Sequence, residues 1–239
     1  MRLLLSTTAA AVFTVSAAPA FADGGPTGIE LGLRAGYALP FGNASGGGSS
    51  TTTTTNGTTV TTTGGGSSLS DGVSGQIPLW VDAGYRITPN FYVGGFLQYG
   101  FAFIPNNSTT GCGQSGVSCS GHDVMFGVDA HYHVMPAAPF DPWVGLGFGY
   151  EILTFNLSQG SQSADVSASG WQFVNFQVGG DYHVTPSFGV GPFVALSLGQ
   201  YSSASTSSGA TSTSNDIPNK AMHEWLTFGL RGVYDISIL

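Results

Sequence analysis

Positive charge is scarce in this chain. Its 239 residues hold five Lys and Arg against thirteen Asp and Glu, a formal net charge of −8. That balance excludes nucleic acid as a natural partner, because phosphate backbones are met by Lys and Arg. Charge of either sign is thin as well: 8% of residues are charged, where a soluble domain carries roughly 25%. Long apolar runs are missing too. Beyond Ala22 there are no 18 uninterrupted apolar positions, although 41% of the chain is hydrophobic, and a membrane-crossing helix needs ~20 of them. No Gly-x-Ser-x-Gly, His-Glu-x-x-His or phosphate-binding loop occurs. No catalytic residue, metal ligand set or cofactor is therefore expected.

What the chain does have is alternation. In Leu79-Trp80-Val81-Asp82-Ala83-Gly84-Tyr85-Arg86-Ile87, the residues Leu, Val, Ala, Tyr and Ile share one face of a strand and Trp, Asp, Gly and Arg share the other. Side chains switch faces at every strand residue, so one side meets lipid and the other something wetter. Eight such segments are expected: upward strands near 28–39, 91–104, 143–156 and 188–201, and downward strands near 76–87, 122–134, 170–184 and 224–238. The fold class is all-β, an eight-stranded antiparallel transmembrane β-barrel of up-and-down topology. An even count brings both ends to one side and leaves no open edge in lipid. The low charge follows, since hydrocarbon rejects Lys and Arg by about 2–4 kcal/mol each at the midplane.

The first residues indicate export. Arg2 precedes an apolar run through Leu5 and from Ala9 to Val15, and Ala20-Phe21-Ala22 offers a small-x-small cleavage site, so residues 1–22 read as a signal peptide and 23–239 as the barrel. The alternative, a membrane-anchoring helix, has too short an apolar core. The links alternate in character. Thr88-Pro89-Asn90, Met135 to Pro142 and Thr185-Pro186-Ser187 are short, whereas about 40–75, 105–121, 157–169 and 202–223 are long. Short links belong in the periplasm and long ones outside the cell.

A weak repeat, Asp82-Ala-Gly-Tyr85-Arg86-Ile-Thr-Pro, is echoed around Asp181-Tyr182-His183 and Asp129-Ala-His-Tyr132-His133. Tyr85, Tyr132, Tyr182 and Tyr234 fall near the short-link end on the apolar face, where a ring with a polar tip suits the water–lipid boundary, and Phe91, Trp143 and Phe188 adjoin them. A soluble sandwich would use the same tyrosines as core. The opposite face receives Glu30, Gln98, Asp123, Glu151, Asn175 and Gln177. It also receives the set expected to form an interior polar network: Arg34, Asp82, Arg86, Asp129, His131, His133, Asp181, His183, Arg231 and Asp235. Eight strands enclose only side chains, so ion pairs are expected inside. Many inward glycines, Gly84, Gly94 and Gly179 among them, leave open the alternative of a narrow water column.

Cys112 and Cys119 lie in the second long link and read as a disulfide clip, since the secretory route oxidises thiols. A zinc site would have only His122 nearby. His131 and His133 share one inward face that a metal could use, but no neighbouring cluster completes such a site. His223-Glu224 borders a Ser-rich link and lacks the held geometry that acid–base work requires. Asn43 to Ser70 is almost wholly Gly, Ser and Thr, and reads as a mobile solvated loop unable to bury a core. Ser202 to Ser214 has the same character. Such tracts could also carry O-linked sugar or touch a partner.

The signal segment, eight alternating segments and short-long loop rhythm from Gly28 to Leu239 resemble the small outer-membrane β-barrel superfamily of OmpA-, OmpX- and OmpW-like proteins. The resemblance implies an outer-membrane protein inserted by the barrel-assembly machinery. It also implies a terminal aromatic residue after alternating apolar ones. Tyr234, Ile236 and Ile238 alternate here, but Leu239 stands last. The expected partners are outer-membrane lipid and lipopolysaccharide, with a monomeric barrel ending at its last strand. The expected role is structural or surface-interacting rather than enzymatic. A narrow solute channel of the OmpW-like kind is the alternative, and a lipid-modifying enzyme the outsider.

Overall fold

The computed structural model describes residues 25–47, 50–55, 58–63, 66–106, 112, 114–209 and 211–237. The expected signal peptide and the last two residues lie outside this range. Eight strands form the barrel: β1 Gly28–Ser45, β2 Gly75–Thr88, β3 Phe91–Phe103, β4 Val117–His133, β5 Phe140–Gln159, β6 Gln162–Thr185, β7 Phe188–Ser208 and β8 Met222–Ser237. Each pairs antiparallel with its sequence neighbour, and β8 closes the ring on β1 from Gly28↔Ser237 to Gly42↔His223. No strand of the ring keeps a free edge, the condition a backbone must meet in lipid.

Alternation is visible throughout. On β2, Leu79, Val81, Tyr85 and Ile87 are exposed while Trp80, Asp82 and Arg86 are buried. Exposed large apolar side chains thus sit outside and buried charges inside, the reverse of a soluble domain. No helix among the described residues is long and apolar enough to cross a membrane.

Four features depart from the pattern in the sequence. The link expected at 157–169 is a two-residue turn, because β5 runs to Gln159 and β6 starts at Gln162, with Gly160 at φ +59° supplying the left-handed residue such a turn needs. The link expected at 202–223 is partly strand, since Thr211–Asp216 folds back onto β7. The Gly/Ser/Thr tract contains a hairpin of Ser50–Thr55 against Thr58–Thr63. Its far end also buries a side chain, contrary to expectation: the one-turn helix Leu69–Gly72 sets Leu69, with Val73 beside it, into the apolar cluster at the long-link mouth.

The fourth feature is a bulge in β6. Gly147 pairs with Asn175 and Gly149 with Gln172, so Phe173 and Val174 both face outward and the inward phase shifts by one. Gln172, skipped by simple alternation, is buried.

Candidate functional site: the barrel interior

The short-link half of the bore is a network of full charges. Arg34 forks onto Asp82, Nε to Oδ2 at 2.7 Å and Nη2 to Oδ1 at 2.9 Å, and donates to Gln177 Oε1 at 2.6 Å. Arg86 donates to Glu30 Oε2 through Nη2 at 2.5 Å and Nε at 2.9 Å. Arg231 donates to Glu30 Oε1 at 2.5 Å and to Asp181. Glu30 therefore sits between two guanidiniums, one from β2 and one from β8. Such forks satisfy several donors at once, which is what makes an ion pair tolerable away from water.

Around these forks lie the remaining polar groups. His131 bonds Asp129 Oδ2 at 3.0 Å, and Asp235 lies 3.8 Å from Arg86. His133 bonds Asp141 Oδ2 at 2.7 Å. Asp141 falls in the segment read as a link, Met135 to Pro142, yet it is buried and also accepts from the Met135 backbone N–H at 3.1 Å. His183 is half-buried, with neither ring nitrogen bonded to protein.

Trp143 is a correction. It was expected at the lipid boundary, but it points into the bore, stacks on His131 at 4.9 Å and lies 4.9 Å from the Arg231 guanidinium. Its place on the outer face belongs to Phe140. The outer rim then shows Phe91 opposite Tyr132, Phe140 opposite Tyr182 and Phe188 opposite Tyr234, with Tyr85 opposite Val93. All four tyrosines are exposed.

The inward glycines make room for rings. A Cβ on Gly179 would lie 2.5 Å from Trp143, and one on Gly94 would lie 2.0 Å from the Tyr92 hydroxyl. Tyr92 stacks on His131 at 4.7 Å, and Trp143 lies between the Arg34 and Arg231 guanidiniums. Arg34, Arg86, Arg231, His131, His133, Tyr92 and Trp143 are each 0–1% exposed. A water-wide passage beside them would leave accessible surface on its lining, and these seven side chains show almost none.

The long-link half is built differently. Glu151 accepts from Tyr201 Oη at 2.5 Å, Trp225 Nε1 at 3.0 Å and His223 Nε2 at 2.9 Å, and among the described residues no Arg or Lys pairs with it. Gln76 Nε2 donates to Asp123 at 3.1 Å, while Gln98 and Gln172 both turn their amides to Met125 Sδ. Leu69, Val73 and Leu153 close the mouth above. His223, the second residue of β8, thus borders the link at 217–221 as expected, but its ring is held across the bore by Glu151.

Two metal arrangements can be weighed. Glu30, His131 and His133 place ligand atoms within 4.8 Å of one another. Both Glu30 oxygens already serve arginines, and Arg34 Nη2 lies 3.4 Å from His131 Nε2, so a cation would enter a cage lined with guanidinium. Cys112 and Cys119 are bonded to each other, and His122 faces outward, stacked on Tyr99.

No protein-family model matches the chain, and no curated protein matches it. Solved structures do. The outer membrane protein AlkL, determined in lipid bilayers, is 18% identical over 94% of this chain and 98% of its own, with a TM-score of 0.50. OprG from Pseudomonas aeruginosa is 15% identical over 90% and 99%, at 0.51. A major outer membrane protein from Thermus thermophilus is 14% identical over 87% and 99%, also at 0.51. The chain has the fold of the small outer-membrane β-barrels.

Proposed function

We propose that the protein is an integral outer-membrane barrel, exported through cleavage after residue 22, whose bore is sealed and whose role is to hold a tall extracellular wall and hairpins at the cell surface. The observation that carries this reading is the layer of guanidinium, imidazole and indole groups with no accessible surface. It favours a scaffold over an axial conduit. Tyr85, Tyr132, Tyr182 and Tyr234, with Phe91, Phe140 and Phe188, form the periplasmic boundary girdle in this reading, and the long-link end faces outward. The barrel acts as a monomer, inserted by the assembly machinery into a leaflet of lipopolysaccharide.

The test is conductance of the purified full chain in a planar bilayer. The expected result is sustained silence under applied voltage of either sign. Regular unitary steps would overturn the sealed bore. Lipid A recovered from expressing cells is expected to keep its mass, since Glu151 and His223 are enclosed and spend their contacts on each other, Tyr201 and Trp225.

A further inference from the structure

The wall that rises from β5, β6 and β7 changes character on its outer face at one level. Outward positions of β5 read Val144, Leu146, Phe148, Tyr150 and Ile152, and then Thr154, Asn156 and Ser158. The paired strands switch at the same register. Ser169 and Ser203 lie beside Ile152, and above them Ser167 and Ser205 lie beside Thr154, then Asp165 and Ser207 beside Asn156, and Ser163 beside Ser158. Ser212 and Ser214 extend the rows onto the last strand of the wall.

The opposite face of β5 and β6 is apolar, with Leu153 in the mouth's buried cluster and Phe155 and Ala168 packed against it. On these two strands the side chains that pack into the mouth's apolar cluster point away from the hydroxyl face. Its groups are tied laterally, Thr154 to Ser167 at 2.9 Å, Asn156 to Asp165 at 2.8 Å and Ser207 to Ser212 at 3.0 Å. Each such hydroxyl keeps further hydrogen-bonding capacity, since it carries one donor and two acceptor lone pairs.

This face continues the apolar band directly upward, so whatever surrounds the band at its upper limit also meets the hydroxyls. The chain offers little to phosphate there. Arg34, Arg86 and Arg231 are buried in the bore, and Lys220 is the exposed cation among the described residues. We propose that the outer face of the wall is a seat for the neutral sugars of the glycolipid surrounding the barrel, held by hydroxyl and carboxamide contacts rather than by cation–phosphate pairs. The inference rests on the outer-membrane reading above.

The experiment uses the full chain in vesicles whose glycolipid either stops at its inner acidic sugars or continues into neutral hexoses. The readout is the temperature at which the barrel loses its compact gel mobility. The hexose-bearing vesicles should raise it by about 2–4 °C, the shift a modest stabilisation gives a chain of this size. The gain should vanish in the quadruple variant S163A/S167A/S205A/S207A and return when the same four positions are Thr.

Equal temperatures in the two vesicles would overturn the proposal, as would a gain that persists in the Ala variant. A gain abolished by chelating divalent cations would also overturn it, pointing instead to metal bridges through Asp165 and Asp216. Should the Ala variant not assemble, the wild-type comparison between vesicles decides alone. Failure of the wild-type chain to insert into either vesicle would instead sink the outer-membrane reading.

Discussion

The two halves of the bore bury carboxylates in opposite ways. At the short-link end, Glu30 is matched by the guanidiniums of Arg86 and Arg231, charge against charge. At the long-link end, Glu151 is matched by a phenol, an indole and an imidazole, with no permanent cation. The first arrangement depends on the partner's charge, the second on the number and aim of its donors. The same substitution should therefore cost unequal amounts in the two places.

Glu30→Gln tests this most severely. Removing the charge leaves Arg231 with Asp181 and Arg86 with the more distant Asp235 at 3.8 Å and Asp141 at 3.9 Å, and breaking a buried pair from one side costs about 3–5 kcal/mol. Reversible urea unfolding from lipid vesicles should show a loss of that size, and a loss under about 1 kcal/mol would break the contrast. Leu69→Ala should come next, at about 2 kcal/mol, the lower end for a buried leucine because the link can relax. Protease access to the mouth should rise with it.

Glu151→Gln should cost only about 1 kcal/mol. The amide oxygen keeps Tyr201 and Trp225, and His223 can shift its proton to Nδ1, which has no protein partner, and accept from the new NH2 group. A loss as large as that of Glu30→Gln would show that the upper carboxylate is held by charge after all. The smallest effect belongs outside the bore: Phe140→Leu removes one aromatic cross-strand pair with Tyr182, worth about 0.2–1 kcal/mol.

The sequence disclosed the bore better than the rims. Arg34, Asp82, Arg86, Asp129 and Arg231 lie inside because strict period-two alternation assigns them there, and polar residues on that face are conspicuous among so few charges. Alternation failed where the phase changes. The bulge at Phe173 and Val174 shifts the inward set to Gln172, and no residue type announces it.

Proline misled the reading at Met135 to Pro142. Pro lacks an N–H, so a Pro-rich stretch reads as a link, yet Pro142 lies within β5 and its carbonyl accepts from Val134 N at 2.8 Å. That assignment hid Asp141, exchanged Phe140 for Trp143 in the outer ring, and misplaced an indole that fills the bore. The heights of β5 to β7 were hidden for another reason. Ser- and Thr-rich composition looks like loop, but Thr has high strand propensity and alternating Ser can occupy a solvated sheet face.

The bond from Arg231 to Glu30 joins residues 201 positions apart, across the seam where the first strand meets the last. Until β8 arrives, Glu30 lacks one of its two arginines and Asp181 lacks Arg231, and a ring with seven staves presents that deficit to the membrane. Electrostatic completion and mechanical closure thus happen in a single event. Such a barrel carries its own proofreading: an unfinished copy is penalised twice, once for its raw hydrogen-bonding edge and once for the anionic imbalance at its axis.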